Sequence, residues 1–318
     1  MSTASPPLFR ALIAACACLA VASSTGRAVA EPRVVRDVTF ARVGESELRL
    51  DLYLPRAGAA AGLIVWVHGG AWRAGSRASV DLVGLTERGW ALASVDYRLS
   101  TVARFPAQVH DIKAAIRFLR QNAAKLGYPA SPIAVAGSSA GGHLAALVGV
   151  TNGNLELEGK VGDASQQSSD VQAIVSLYGA SNLTTILAQS TPHGLDVRVP
   201  ALELLLGARP EAAPEPARIA SPFFHVDARD PPLYLAHGDQ DSQMPINQSH
   251  ELQGAYDKLG LPVRFDVVHG SGHGGPAFTS PAALAQIDAF LRQHLPQMKT
   301  AAATPVSPAA ASTSKALR

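Results

Sequence analysis

The stretch PIAVAGSSAGGHLAAL, residues 132–147, joins a short apolar run to a helical pattern through a turn of small residues. Its first part is typical of a buried parallel strand, and the part that follows residue 140 is typical of a helix. The centre, GSSAG, fits Gly-x-Ser-x-Gly, in which a strand turns sharply into a helix and exposes one hydroxyl. This pattern places the exposed hydroxyl on Ser139 and leaves Ser138 a hydrogen-bonding role.

Short apolar runs alternate with helical patterns on both sides of this turn. Further strands are predicted at 48–54, 62–70, 91–99, 173–179, 232–238 and 263–270, and helices at 107–127, about 247–260 and 281–295. Such alternation predicts a mostly parallel central sheet with helices on both faces. The Pro-rich segment 181–230 holds a short apolar helix candidate at 201–207, so we expect a small lid or pocket-wall insertion there.

The first thirty residues have the pattern of a secretory signal. Arg10 precedes the apolar run ALIAACACLAVA, and AVA at 28–30 suits cleavage before Glu31. The run is shorter than the roughly 20 residues of a membrane-spanning helix, so no stable span is expected after cleavage. The predicted location is therefore the periplasm or the exterior of a bacterium. The alternatives are an uncleaved anchor and a lipoprotein acylated at Cys16.

The remaining composition excludes several classes of function. Both cysteines lie in the predicted signal, so the mature chain is expected to hold no disulfide and no cysteine metal site. Outside that segment the acidic and basic residues balance, which does not favour nucleic-acid binding. No motif has convincing metal-ligand spacing, and no cofactor is expected. We predict a catalytic domain over 31–297 and a disordered Ala/Pro/Ser/Thr tail over 298–318, with the oligomeric state open.

A serine hydroxyl becomes a strong nucleophile only when a base takes its proton. In a strand–turn–helix architecture of this kind, an acid and then a histidine follow the serine along the chain. Two loops that follow predicted strands supply candidates, namely Asp239 and Asp241 in HGDQDSQMP, and His269 and His273 in HGSGHGG. Loops of this kind converge at the carboxyl edge of a parallel sheet. The loop context favours His273 as the base, whereas both acids remain candidates.

An earlier loop, HGGAW at 68–72, has the composition of an oxyanion-binding turn. Its glycines can leave backbone N–H groups free to hold a negatively charged oxygen. The helix that begins at Ala140 adds partial positive charge at the same place. We expect Trp72 to be a candidate for substrate binding, and His143 to serve in packing or hydrogen bonding.

Several motifs together resemble the α/β-hydrolase superfamily. They are HGGAWRAGS, VDYRLS, FPAQVHDIKAAIRFLRQNA, VAGSSAGGHLAAL and HGDQDSQMP, which occur in the family's order over about residues 35–296. The chain is similar in particular to the esterase/lipase group with bifunctional acetylxylan and feruloyl esterases, and to hormone-sensitive-lipase-like esterases. The implied fold is that of an α/β-hydrolase.

The resemblance also implies a role for each site residue. It places the acid at Asp241 and the base at His273, and it assigns the oxyanion donors to the N–H groups of Gly70, Ala71 and Ala140. Many relatives have a third glycine where this chain has Ala71, but a backbone N–H survives that change.

The implied activity is hydrolysis of carboxylic esters through an acyl-enzyme. Short-chain or aryl esters of acetyl or feruloyl type are the expected small-molecule substrates, including esters of the plant cell wall. An amide or peptide hydrolase on the same fold is the alternative, because fold alone does not fix the substrate. No anchor for a charged peptide terminus is recognisable in the sequence. A non-catalytic binding module is the third interpretation, which the filled catalytic positions disfavour.

Overall fold

A computed structural model describes Met1 and residues 32–295 of the 318-residue chain. The predicted tail, and all of the predicted signal except Met1, lie outside these residues. Within the part that the structure describes, we find no helix with the length and apolar character needed to cross a bilayer.

Eight strands form one sheet, and their order in space is β1-β2-β4-β3-β5-β6-β7-β8. The strands are β1 Arg33–Val43, β2 Ser46–Leu54, β3 Leu63–Val67, β4 Ala91–Val95, β5 Ile133–Ser138, β6 Ala173–Leu177, β7 Leu233–Gly238 and β8 Val263–Val268. β1 and β2 pair antiparallel, as do β2 and β4, while the neighbours from β4 through β8 all run parallel. The predicted mostly parallel α/β sheet is thus confirmed.

Helices cover both faces of this sheet. They are α1 Ala107–Leu126, α2 Ala140–Gly149, α3 Leu155–Glu158, α4 Ile186–Gln189, α5 Pro192–Leu206, α6 Pro214–Ile219, α7 Asn247–Lys258 and α8 Pro281–His294. Short 3-10 turns span Val83–Arg88, Pro222–Phe224 and Pro276–Phe278. Strand β3 shows why the central strands read as continuous apolar runs, because Val65 packs in one core and Trp66 in the core across the sheet.

The parallel strands bring four loops to one edge of the sheet. The segments after β3, β5, β7 and β8 all leave the carboxyl ends of strands that run in the same direction. These segments carry the predicted oxyanion loop, Ser139, Asp241 and His273, respectively. The topology therefore assembles at one place groups that lie far apart in the chain.

The edge strand β1 is an element that the sequence pattern did not predict. Its register with β2 shifts between Val35 and Val38 and again between Thr39 and Ala41. Each irregularity moves the apolar residues out of strict alternation, so no period of two is visible in RVVRDVTFARV. The strand nevertheless caps the sheet and keeps β2 from being an exposed edge.

Segment 181–230 holds more helix than its sequence predicts. Helix α5 begins at Pro192, nine residues before the predicted helix at 201–207. Thr191 caps it by accepting a hydrogen bond from the N–H of Gly194 at 3.0 Å, and Pro192 suits the first helical position. Pro200 lies inside the helix and hides its continuity from a reading of the sequence.

Candidate active site

Ser139 sits at the sharp turn between β5 and α2. Its backbone has φ 54° and ψ −120°, a combination that a non-glycine residue adopts only when the surrounding structure imposes it. The flanking glycines permit the close packing of this turn. A Cβ atom on Gly137 would lie 2.3 Å from the carbonyl oxygen of Gly141, and one on Gly141 would lie 2.0 Å from that of Val67.

The three side chains expected to act together are joined by hydrogen bonds. Nε2 of His273 lies 2.8 Å from Oγ of Ser139, and Nδ1 of the same ring lies 2.6 Å from Oδ2 of Asp241. The ring of Tyr178 packs edge-on against the imidazole, with centroids 5.0 Å apart. This arrangement lets the imidazole exchange a proton with the serine while the carboxylate fixes its orientation.

Asp241 is held as a buried, ionised carboxylate. Its Oδ1 accepts hydrogen bonds from the N–H groups of Gln243 at 2.9 Å and Met244 at 2.8 Å. Nε2 of His237 lies 3.3 Å from Oδ2. Burial raises the pKa of this carboxyl, but hydrogen bonds with His237 and His273 outweigh burial and hold the pKa well below its ordinary range. The charge is therefore present at every pH at which the imidazole can act as a base.

The two competing residues form a separate pair. Nδ1 of His269 lies 2.8 Å from Oδ2 of Asp239, and Oδ1 of Asp239 accepts the N–H of Gly270 at 2.7 Å. The His269 side chain is 83% exposed. The structure thus brings Asp241 and His273 to Ser139, whereas Asp239 fastens its own loop to the end of β8.

The neighbouring serine has a different partner. Oγ of Ser138 donates a hydrogen bond to Oδ2 of Asp81 at 3.0 Å, across 57 positions of sequence. The hydroxyl of Ser138 is thus engaged on the side of Asp81, whereas that of Ser139 meets the imidazole of His273. The hydrogen bonds and the Gly-x-Ser-x-Gly motif therefore both point to Ser139, and not Ser138, as the hydroxyl beside the imidazole.

The backbone N–H groups of Gly70, Ala71 and Ala140 are available as donors. Among residues 32–295, none accepts a hydrogen bond from any of the three. Ala71 has φ 51°, and Ala140 is the first residue of α2, where helix N–H groups point outward without intrahelical partners. Gly70 and Ala71 line the same cavity as Ser139.

The expectation that Trp72 binds substrate is corrected by the structure. The indole is fully buried and leaves no surface for a ligand. Its Nε1 donates a hydrogen bond to Nδ1 of His143 at 3.1 Å, and Nε2 of His143 lies 2.6 Å from the carbonyl oxygen of Ala220. Trp72 therefore connects the oxyanion loop to helix α2 from behind, and His143 has the packing and hydrogen-bonding role that we expected.

A cavity of about 400 Å³ opens above Ser139. Its walls include His273, Tyr178 and Gln243, and helix α5 contributes Val197 and Arg198. Such a volume suits a small organic ligand. Arg198 is the residue that sequence reasoning missed, because a single arginine on a helix gives no local signal of its own burial. Only the packing of α5 against the loop that carries Asp241 reveals it.

The chain matches the BD-FAE family model over residues 50–256. It is 36% identical over 243 residues to esterase LipC of Mycobacterium tuberculosis, which is 73% of this chain and 58% of LipC. Isoprenylcysteine alpha-carbonyl methylesterase ICME of Arabidopsis thaliana is 30% identical, over 71% of this chain and 53% of ICME. The chain spans about half the length of the named relatives that it matches.

Two solved structures with the same architecture carry the name of an esterase. A truncated carbohydrate esterase from gut microbiota superimposes with a TM-score of 0.75 at 32% identity, covering 83% of this chain and 96% of the other. Esterase Est2 of the Planctomycetes species Thermogutta terrifontis superimposes with a TM-score of 0.66 at 26% identity, covering 84% and 93%. These matches confirm the predicted α/β-hydrolase fold and the resemblance to this esterase group. The chain belongs to the BD-FAE family.

Proposed function

We propose that the protein hydrolyses carboxylic esters, with Ser139 as nucleophile, His273 as base and Asp241 as the supporting acid. The observation that carries this proposal is the continuous hydrogen-bonded chain from the serine Oγ through both ring nitrogens to a buried carboxylate. The names of the relatives and neighbours, which are esterases, support the same reaction class.

The proposed first step forms an acyl-enzyme. Oγ of Ser139 attacks the ester carbonyl as its proton passes to Nε2 of His273, and Asp241 stabilises the imidazolium that results. The N–H groups of Gly70, Ala71 and Ala140 hold the negative oxygen of the tetrahedral intermediate. His273 then gives its proton to the departing alcohol.

In the second step, a water molecule gives a proton to His273 and attacks the acyl carbonyl. The second tetrahedral intermediate collapses as the proton returns to Oγ of Ser139, which releases the carboxylic acid. The enzyme groups end in their starting protonation states, so no cofactor is required by this scheme.

Short-chain or aryl esters, of acetyl or feruloyl type, are the proposed substrates. The cavity of about 400 Å³ admits a small acyl or aryl group. Structures of Est2 with butyrate and with propionate bound support short acyl chains. The carbohydrate esterase among the neighbours supports an ester carried by a carbohydrate. An ester of the plant cell wall belongs to the proposal.

A substrate panel with an active-site variant tests this function. We expect the protein to hydrolyse p-nitrophenyl acetate and butyrate, and Ser139→Ala to lose that turnover while its circular dichroism spectrum is unchanged. Methyl ferulate, acetylated xylan, a peptide p-nitroanilide and an N-formyl amide complete the panel. Faster turnover of either amide than of every ester would assign the site to amide hydrolysis. If the protein hydrolyses none of these substrates, the site belongs to a binding module.

We further propose that the protein is exported from a bacterial cell. The proposal rests on the pattern of residues 1–30, which lie outside the described residues apart from Met1. Expression of the full chain in a bacterium, followed by cell fractionation and N-terminal sequencing, tests it. A mature protein that begins at Glu31 outside the cytoplasm is expected, and a cytoplasmic chain that begins at Met1 would contradict the proposal.

A further inference from the structure

Arg198 is a charged side chain that the proposed catalytic steps do not use, although it lines the catalytic cavity. It lies on α5 and is only 1% exposed. Its Nε donates a hydrogen bond to the carbonyl oxygen of Gln243 at 3.2 Å. Nη1 is buried and has no hydrogen-bond partner among the described residues. A buried donor of this kind is costly to leave unpaired, so a ligand that brings a hydrogen-bond acceptor to it would be stabilised.

Asp241 does not neutralise Arg198 through a direct hydrogen bond. Its two oxygens are occupied by two backbone N–H groups, by His273 and by the nearby ring of His237. Within residues 32–295, Arg198 forms no ion pair with any carboxylate. Arg198 thus lines the cavity with the donors of its guanidinium incompletely used.

A second arginine increases the positive potential at this place. Burial lowers the pKa of Arg198 to about 10, and the like charge of Arg73 acts in the same direction against the opposing charge of Asp241. The guanidinium therefore remains charged at neutral pH. Arg73 follows the oxyanion loop directly in sequence, and Arg198 lines the cavity that holds Ser139.

We infer that Arg198 binds a carboxylate of the substrate, and that the preferred esters carry a carboxylate close to the bond that is cleaved. A planar guanidinium matches a carboxylate through two parallel hydrogen bonds, which a desolvated site strengthens. Arg198 and Ser139 line the same cavity of about 400 Å³, so one small substrate can present its carboxylate to the first and its ester carbonyl to the second. This inference rests on the proposed ester hydrolysis and specifies its substrate class.

The carboxylate can lie on the acyl side or on the alcohol side of the ester, and two pairs of matched substrates distinguish these cases. Monoethyl succinate and ethyl 4-methylpentanoate differ only by a carboxylate in place of an isopropyl group on the acyl side. Acetoxyacetate and isobutyl acetate differ in the same way on the alcohol side. The measured quantity is the ratio of kcat/KM for the anionic ester to that for its neutral partner.

We expect the wild-type ratio to exceed one for at least one pair, and Arg198→Gln to lower that ratio by about 10- to 100-fold, as for a lost hydrogen bond between charged groups. Arg198→Lys should keep part of the preference because the charge remains. Arg218→Gln is the control, since Arg218 is exposed on α6 and paired with Glu215. The kcat/KM ratio of this variant should equal that of the wild type.

If Arg198→Gln lowers kcat/KM equally for the anionic and the neutral ester of each pair, the inference is overturned. Arg198 would then only hold the loop of Asp241 in place. A wild-type ratio below one for both pairs would also overturn it. If Arg198→Gln fails to fold, calorimetry with Ser139→Ala decides, since that protein should bind at least one of monoethyl succinate and acetoxyacetate more tightly than its neutral partner. Absence of p-nitrophenyl acetate turnover by the wild type would refute the proposed ester hydrolysis. The calorimetric measurement would still show, independently of turnover, whether the site prefers a carboxylate.

Discussion

The indole Nε1 of Trp72 donates a hydrogen bond to Nδ1 of His143 at 3.1 Å, and both side chains are fully buried. Trp72 adjoins Ala71 in the oxyanion loop, and His143 lies on the helix that begins with Ala140. One hydrogen bond thus links the two backbone segments whose N–H groups are proposed to hold the oxyanion.

Replacing Trp72 with Phe should loosen that link. The variant leaves Nδ1 of His143 buried without a donor, so we expect the free energy of unfolding to fall by about 1–3 kcal/mol. Because the two segments that carry the oxyanion donors are no longer held in register, kcat for p-nitrophenyl acetate should fall more than KM rises. Urea unfolding and steady-state kinetics measure both effects. An unchanged kcat in a destabilised protein would assign Trp72 to packing alone.

His143 should make folding sensitive to acid. Burial lowers its pKa from 6.5 to about 4, although its hydrogen bond with Ala220 opposes the shift. The folded imidazole therefore stays neutral where the unfolded one gains a proton, so its contribution to stability is complete above pH 6.5. As pH falls from 6.5 towards 4, this contribution decreases by about 1.4 kcal/mol per pH unit.

The variant His143→Gln isolates this titration. A glutamine can accept from Trp72 and donate to Ala220 without binding a proton. We expect the wild type to lose stability more steeply than His143→Gln between pH 6.5 and 4, measured by urea unfolding at several pH values. Parallel curves for the two proteins would contradict the assignment of a neutral, buried His143.

Substitution of Asp241 by Asn should lower kcat by about 10³- to 10⁴-fold, since the amide favours the wrong tautomer of the neighbouring imidazole. Asp239→Asn is the matched control, because Asp239 contacts the exposed His269. We expect the control to keep most of its turnover of p-nitrophenyl butyrate. The opposite order of effects would identify Asp239 as the functional acid.

The turn at Ser139 depends on glycine at position 141. Gly141→Ala would place a Cβ 2.0 Å from the carbonyl oxygen of Val67, so we expect loss of both thermal stability and soluble expression. Gly254→Ala is the control on helix α7, where a Cβ meets nothing within 4 Å. That change should raise stability by about 0.5–1 kcal/mol. Equal melting temperatures for Gly141→Ala and the wild type would contradict this account of the turn.

The sequence predicts the central strands and the position of the site, because both depend on local patterns. Buried parallel strands appear as apolar runs, and the loops that follow them carry Ser139, Asp241 and His273 in the family's order. The sequence could not choose between Asp239 and Asp241 without that family resemblance. The structure distinguishes them by the hydrogen bond that each makes to a different histidine.

Local irregularities and long-range packing account for the features that the sequence pattern does not predict. Edge strand β1 was missed because bulges disrupt its alternation, and the first turns of α5 because Pro200 masks the helix. The burial of Trp72 cannot be predicted from the residues around it, since nothing near it in sequence reveals that His143, 71 positions away, accepts its N–H. The burial of Arg198 is likewise not predictable from its neighbours in sequence, because it depends on contacts with the loop of Asp241.

Ser139 is the residue proposed to form the covalent intermediate, and the site of covalent labelling identifies the nucleophile. The wild-type protein is treated with a fluorophosphonate, and the modified peptide is identified by mass spectrometry while turnover of p-nitrophenyl butyrate is followed. We predict one label per chain, on Oγ of Ser139, with loss of turnover in proportion to labelling. A label on Ser138 or elsewhere, or full turnover in fully labelled protein, would contradict the claim.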